Sequence, residues 1–503
     1  MKQKIIFWLD ADITTFCLPY FLQKEINANF YAIIDITNRP KDFFINQKLV
    51  NFQKIWFYHD SMKKDFEFDS DYLKQFEEKY KIDLMELAKN DRMFNSKYNE
   101  YYNFSKYEII SILHKECKLF EEVLEIQPDF FITTETALRP HHTFYLYCKK
   151  NGIKILMLNF ANWGNYCYIS ENYHQLDNFE ELFKNKQSLQ TTFEQLQKRL
   201  DEKIQSKKLT NFYNKTRKSK FKKIKAAIQL LFISNNNNIK THYTYFGRTK
   251  SRVLFKEIKN LLKFWFRQWY IDNSFLIKTP ETKPIIFFTL QQEPERSLLI
   301  SAPNYTDQMK TIDYISRCIP DNYILLVKEH PTQGPGRGWR NLSDYKYFKN
   351  FPKVKFIHPS ISTTDIIKKS KLVISVSGTP SLEASFFNKP SITFVKNDFT
   401  LIPSIQKLNS KDDLPKLIQN SLQKTFDPQF VGKYFDILEE QSFIFDYLNF
   451  QLDYASYFYF DGNLVDIEID ESEMMKFLSD HKKSFSVVIE RFKQKINCDE
   501  QVD

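Results

Sequence analysis

With 503 residues the chain is too long for one ordinary hydrophobic core, so two domains of roughly 200 to 250 residues are expected. Its 42% hydrophobic, 17% aromatic and 27% charged residues exclude a disordered chain, and no run approaches the ~18 apolar residues of a membrane-crossing helix. The net charge of +10 is modest for this length and, with no nucleic-acid-binding motif present, does not point to nucleic acid.

The apolar run at the start is broken by Asp10 and Asp12 with no small-residue cleavage site after it, so it reads as a strand rather than a signal peptide. Six cysteines (Cys17, Cys117, Cys148, Cys167, Cys318, Cys498) lack CxxC or zinc-ligand spacing, which favours reduced thiols and a cytoplasmic setting. Lys4–Leu9 is the first buried strand; a helix over 15–27 and strands at Tyr31–Asp35 and Ile55–Tyr58 follow. A long polar helical region covers about 71–126. A βαβ unit comes next: PDFFITTE at 128–135, a helix over 136–152 closed by Gly152, and IKILML at 153–158. Strands alternating with helices predict a parallel, Rossmann-like sheet.

Residues 178–208 have a charged helical pattern, and from Lys203 to Lys225 there are ten Lys or Arg and no acidic residue. An asparagine run at 235–238 precedes a second basic, aromatic helix over 250–270. Either KLTNFYNKTRKSKFKKIKAAIQLLF (208–232) or the stretch 251–270 could lie on an anionic membrane leaflet. For 208–232 a solvated linker is an equal reading; for 251–270 packing of its aromatics into the second domain is preferred.

A second alternating set begins with PIIFFTL at 284–290, followed by a helix over 306–318, YILLVKEHP at 323–331 and VKFIHP at 354–359. A short helix over 363–370, LVISVS, another helix and PSITF at 390–394 complete it, and beyond 412 the pattern is helical. Lys328 and His330 project to one strand face and Glu329 to the other, which offers a phosphate two cationic or donor groups. A plain His-Pro turn with a surface lysine is the alternative. In SVSGTPSLEA, Ser375 and Ser377 share a face, Gly378 allows close approach of a ligand, and Thr379 and Pro380 start a helix whose N–H groups favour an anion. Ser381 belongs to the same turn. Glu383, one turn on, could accept from ribose hydroxyls, or it could serve with Thr379 as a capping box.

Taken together, LQQEPERS (290–297), LLVKEHP (325–331), VKFIHPSIST (354–363) and SVSGTPSLEASFFNKPSITF (375–394) resemble the capsule and surface-polysaccharide biosynthesis glycosyltransferases of the GT-B fold. The K-x-H-P and S-G-T-x-x-x-E motifs are also similar to those of bacterial sialyl- and Kdo-type transferases. The resemblance implies an α/β protein with two Rossmann-like domains facing a cleft and C-terminal helices. It divides the chain into an acceptor domain (1–205), a basic and aromatic linker (206–280), a nucleotide-sugar donor domain (281–425) and a helical region across both (426–503).

On the donor side it implies Lys328, His330, Ser375, Ser377, Gly378, Thr379, Ser381 and Glu383, with Gln291, Glu295 and Arg296 in the loop after the first donor-domain strand. Glu293 stands there in place of an expected second amide. On the acceptor side the strand-end residues Asp10, Glu135 and His141 are candidates for the general base, and Asp12, Arg139 and His142 for acceptor binding. Each has a structural reading too, since Asp10, Asp12 and Glu135 could cap helices and His141 could be packed inside one. His358 repeats the His-Pro dipeptide and reads as structural.

The implied activity is transfer of a sugar from a nucleotide donor to a glycan or lipid-linked acceptor. A CMP-activated ulosonic acid comes ahead of a UDP-sugar, with no metal site and no resident cofactor. The alternatives are a UDP-sugar-dependent GT-B transferase, a UDP-GlcNAc 2-epimerase-like enzyme and a non-catalytic polysaccharide assembly or export partner. The expected place is the cytoplasm, with peripheral contact at the inner face of the membrane through 208–232 as a further option.

Overall fold

The computed structural model describes residues 2–62, 67–161, 163–187, 190–202, 205–218, 220–234 and 237–499. Lys203 of the basic run and the first half of the asparagine run at 235–238 lie outside them.

Two parallel sheets organise the chain. The first contains β1 (Lys4–Leu9), β2 (Asn29–Ile34), β3 (Phe52–Phe57), β4 (Phe130–Thr133), β5 (Lys154–Phe160) and β6 (Tyr166–Ser170). The second contains β7 (Ile285–Thr289), β8 (Ile324–Lys328), β9 (Val354–Ile357), β10 (Ser370–Ser375), β11 (Ser391–Thr393) and β12 (Ile405–Lys407). A last strand, β13 (Phe443–Ile444), returns to the first sheet.

The order of the second sheet is β12-β11-β10-β7-β8-β9, all parallel, which is the doubly wound 3-2-1-4-5-6 arrangement. The first has the order β13-β6-β5-β4-β1-β2-β3, where β6 and β13 run antiparallel to their neighbours. In both sheets the order reverses beside the first strand, between β1 and β4 and between β7 and β10. A ligand crevice opens at that switch point, outside the carboxyl ends of the strands. Two such crevices facing each other make a GT-B-type architecture.

The strands of both sheets are apolar on both faces because helices cover both. Ile5, Phe7 and Leu9 face one core of the first domain, and Ile6 and Trp8 face the other. A further cluster joins the domains: Trp163, Tyr168 and Phe179 pack against Leu382, Phe386 and Phe435. The region 71–126 is not one helix; it breaks into Ser70–Tyr80, Leu84–Lys89 and Lys106–Leu124. Its polar residues supply the caps, with Asp69, Asp83 and Ser105 each accepting from first-turn amides. β6, β12 and β13 are strands that the sequence pattern did not signal, and β13 interrupts the helical C-terminus. All six cysteines are unpaired thiols, four of them buried.

The packing expected of the aromatics in 251–270 is met in part. On the helix Lys250–Ser274, Phe264 and Tyr270 pack with Ile271 beside Trp339 of the second domain, but Phe255, Trp265 and Trp269 are 70%, 69% and 61% exposed.

Candidate active site

A cavity of about 870 Å³ lies between the two sheets at their switch points. The wall from the second domain comes from loops at the ends of β7, β8, β10 and β11. Gln291, Glu295 and Arg296 line it after β7, Lys328 and His330 at the end of β8, and Ser377, Gly378 and Thr379 after β10.

The strand alternation at β8 has a clear outcome. Lys328 Nζ donates to Thr363 Oγ1 at 2.7 Å. The Thr332 amide nitrogen lies 3.3 Å from His330 Nδ1. The Thr332 hydroxyl, 2.8 Å from the same Nδ1, donates in turn to Gln292 Oε1 at 2.5 Å. Glu329 turns the other way and is fully buried, accepting from Arg340 Nε at 2.8 Å and the Tyr345 hydroxyl at 2.7 Å. Arg340 also pairs with Glu293, which meets Lys97 of the first domain at 2.8 Å. The odd carboxylate at 293 is therefore a buried ion-pair partner that ties the loop after β7 to the opposite domain.

The turn after β10 is tighter than the sequence reading allowed. Ser375 and Ser381 are fully buried and bond each other through their hydroxyls at 2.7 Å, so they staple the turn and do not reach the cleft. Glu383 is also fully buried and accepts from the Thr364 hydroxyl. It meets neither the cleft nor a capping box, because Thr379 takes helical dihedrals and its side chain caps nothing. That leaves Thr379 and Ser377 facing the cleft. A side chain at Gly378 would come within 3.0 Å of the Gln291 amide nitrogen and of Pro380 Cδ, so the loop after β7 lies close against this turn.

Of the acceptor-side candidates, Glu135 and His142 line the cleft, whereas Asp10, Asp12, Arg139 and His141 do not. Arg139 is buried and donates to Asp91 at 2.6 Å and Glu116 at 2.7 Å, a triad inside the first domain. His141 lies stacked on Trp8, with ring centroids 4.8 Å apart, and its Nε2 is 2.6 Å from Thr133 Oγ1. Burial, followed by the nearby Arg296 charge, holds its pKa down at about 3. Enclosed in this way, and with its proton affinity lowered, the imidazole is poorly placed to take a proton from an acceptor in the cleft.

Asp12 caps the helix Ile13–Leu22 by accepting from the Thr14 amide, and it takes the Tyr447 hydroxyl at 2.9 Å. Asp10 lies behind the cleft, accepting from the Asp12 amide at 2.8 Å. Its carboxyl is pushed up to about 8, first by burial and then by Asp12, with the Asp12 N–H, Asp35 and Arg92 as smaller influences. An unfolded aspartate loses its proton near pH 4, so between about pH 4 and 8 the folded chain holds the extra proton and stability falls as pH rises. Asp10→Asn keeps the acceptor for the Asp12 amide and removes this slope. It is expected to stabilise the protein by roughly 1–3 kcal/mol at pH 8 and to change little at pH 4, read by urea unfolding at both. Equal effects at the two pH values would sink this account of Asp10.

The walls meet at Arg296. Its guanidinium donates to the Thr136 carbonyl at 3.1 Å across the domain boundary and lies 3.6 Å from the centre of the Tyr173 ring. His142 Nδ1 is 3.1 Å from the Thr136 hydroxyl and belongs to the same junction. Burial raises the Glu135 carboxyl above its ordinary range, while Arg296 and a hydrogen bond from Tyr173 hold it down. Across from it, Glu295 is raised to about 7 by burial, offset by Arg337 and reinforced by Glu135. The cleft thus contains two carboxylates of high proton affinity, one from each domain.

Several cleft residues escaped the sequence reading: Arg92, Tyr173, Tyr213, Arg337 and Asp398. Arg92 and Arg337 come from opposite domains, and after burial it is Arg337 that most disfavours the charge on Arg92. Two converging guanidinium groups at a cleft suit an anion. None of the five lies in a motif; only the loops' convergence reveals them.

Residues 185–402 match the family described as "Capsule polysaccharide biosynthesis protein", which bears out the resemblance carried by the motifs from Leu290 to Phe394. No curated protein sequence matches the chain. Among solved structures it is similar to the UDP-GlcNAc 2-epimerase of Methanocaldococcus jannaschii, at 12% identity and a TM-score of 0.26, covering 88% of this chain and 99% of that one. It is also similar to the KpsC beta Kdo 2,4 transferase of Thermosulfurimonas dismutans, at 8% identity and a TM-score of 0.31, covering 62% and 87%. A third is the UDP-GlcNAc 2-epimerase of Neisseria meningitidis, at 12% identity and a TM-score of 0.26, covering 87% and 99%.

Proposed function

We propose that the chain is a glycosyltransferase of surface-polysaccharide biosynthesis, taking a sugar from a nucleotide donor to a glycan or lipid-linked acceptor. The observation that carries this reading is the make-up of one interdomain cleft. Phosphate-suited strand ends (Lys328, His330, Ser377–Thr379) form one wall, and a high-affinity carboxylate comes from each side, Glu135 and Glu295. In that arrangement the donor phosphate lies against Lys328 and His330, whose ammonium and imidazole groups stabilise the departing nucleotide. One of the two carboxylates removes the acceptor's proton. Side-chain cations, rather than a metal ion, meet the phosphate.

A CMP-activated ulosonic acid is the donor we favour. Beyond the single phosphate of such a donor, its sugar carboxylate needs a second cationic partner, and Arg92 with Arg337 on the cleft wall supplies one. Thermal unfolding with CMP, CDP and UDP tests this through linkage. CMP is expected to raise Tm most, by several degrees at millimolar concentration. A larger shift with UDP would move the donor to a UDP-sugar, and no shift with any of them would favour a non-catalytic assembly partner. Turnover of UDP-GlcNAc without an acceptor would establish an epimerase-like reaction instead.

A further inference from the structure

The stretch between the two domains carries two apolar stripes that no part of the described chain covers. On the helix Lys250–Ser274, Phe255, Ile258, Leu262, Trp265 and Trp269 recur at intervals of three and four residues, which puts them on one face. On the helix Lys220–Ile228 and the turn after it, Phe221, Ile224, Ile228 and Phe232 do the same, and Phe232 is 80% exposed. The two segments are linked by Lys250 Nζ, which donates to the Leu231 carbonyl at 2.8 Å.

Charge says what covers them. Between positions 203 and 256 there is no Asp or Glu, while lysines and arginines recur throughout. On the later helix Lys259 and Lys263 run along one side of the apolar face, at 100° per residue the flank next to Phe255 and Leu262, while Lys256 turns its ammonium over the Tyr101 ring, 4.3 Å from its centre. The back of the helix is held by the second domain, with Trp339 Nε1 donating to Gln268 and Arg267 bonded to the Trp339 carbonyl. A second copy of the chain laid on this face would bring lysine rows against lysine rows, which opposes association. An anionic surface with an apolar interior matches both features, and tryptophan beside lysine is the composition of a bilayer interface.

We propose that these two stripes form a docking surface for an anionic lipid bilayer, with Trp265 and Trp269 entering the headgroup–acyl boundary and the flanking lysines meeting lipid phosphates. The surface is connected to the cleft. The helix Gln205–Lys218, which leads into the first stripe, lines the cavity with Leu209 and Tyr213. Gly336 lies so close beneath the Tyr213 ring that a side chain there would meet it at 2.9 Å. Docking by this face therefore sets the bilayer beside a segment that itself forms part of the cleft.

The test uses the full chain with vesicles of phosphatidylglycerol and phosphatidylethanolamine, against vesicles of phosphatidylcholine alone. Sedimentation with the anionic vesicles is expected to exceed that with neutral ones at least about tenfold and to disappear near half-molar salt. Brominated acyl chains should quench tryptophan emission, and Trp265→Phe with Trp269→Phe should abolish the quenching. Trp265→Glu with Trp269→Glu should remove vesicle binding with Tm and turnover of a soluble acceptor unchanged. Equal binding to neutral vesicles, or quenching that persists in the Phe variant, overturns the proposal. So does an absence of vesicle binding together with a dimer that the double Glu variant dissolves, which would assign the face to a second copy.

Discussion

His330→Ala is expected to lower the rate of sugar transfer at least about a hundredfold, with kcat falling and KM changing little, because the lost imidazole acts on the charge that develops as the nucleotide departs. The fold should tolerate the change. His330 lies in the loop after β8, and its bond to Thr332 is local, whereas the buried anchors of that loop are Glu329, Arg340 and Tyr345. Tm within a few degrees of the parent, measured beside turnover, separates lost chemistry from lost structure. Near-normal turnover in this variant would remove His330 from the site.

Glu295→Gln has the second large effect. A carboxyl raised to about 7 is protonated in acid and becomes a competent base only as pH rises through that value. The parent enzyme should therefore show kcat/KM climbing with pH around 7. The amide variant should lose that limb and about 10²- to 10⁴-fold in rate. Glu135→Gln is the companion variant, since Glu135 helps to raise Glu295 and its removal should shift the limb toward lower pH. If the limb survives unmoved in Glu295→Gln, the base is elsewhere, and Glu135 is the next choice.

The sequence revealed strand ends well and side-chain fates poorly. The βαβ unit around β4 and the paired strand ends at Lys328–His330 and Ser375–Thr379 were legible because buried parallel strands are continuous apolar runs that end in distinctive polar residues. What the pattern could not tell was which of those polar residues face a ligand. Ser375 and Glu383 stand in the same short stretch as Ser377 and Thr379, yet each finds a partner inside the domain, Ser381 and Thr364. Arg139 has the look of a ligand-binding residue until Asp91 and Glu116, distant in sequence, are seen around it. Glu295 read as one polar residue in a donor loop; its high proton affinity arises from enclosure in the cleft and from Glu135 on the other domain. The outward face of the helix over 251–270 was misplaced because a wide aromatic stripe has the same period whether it faces protein, lipid or water.

The short strand β13 has a consequence for how the chain is made. Phe443 pairs with Cys167, and the helix Glu471–Asp499 brings Phe477, Phe485 and Phe492 into the same core as Phe16, Leu18 and Phe21. Of the two domains, the one synthesised earlier is thus the one completed later. Its nascent form must wait, with an open sheet edge at β6 and an uncovered apolar face, through synthesis of the entire second domain, whose sheet comes from one unbroken stretch of chain. A product cut short near residue 425 would keep every donor-side cleft residue and still leave the acceptor-side domain without part of its own interior.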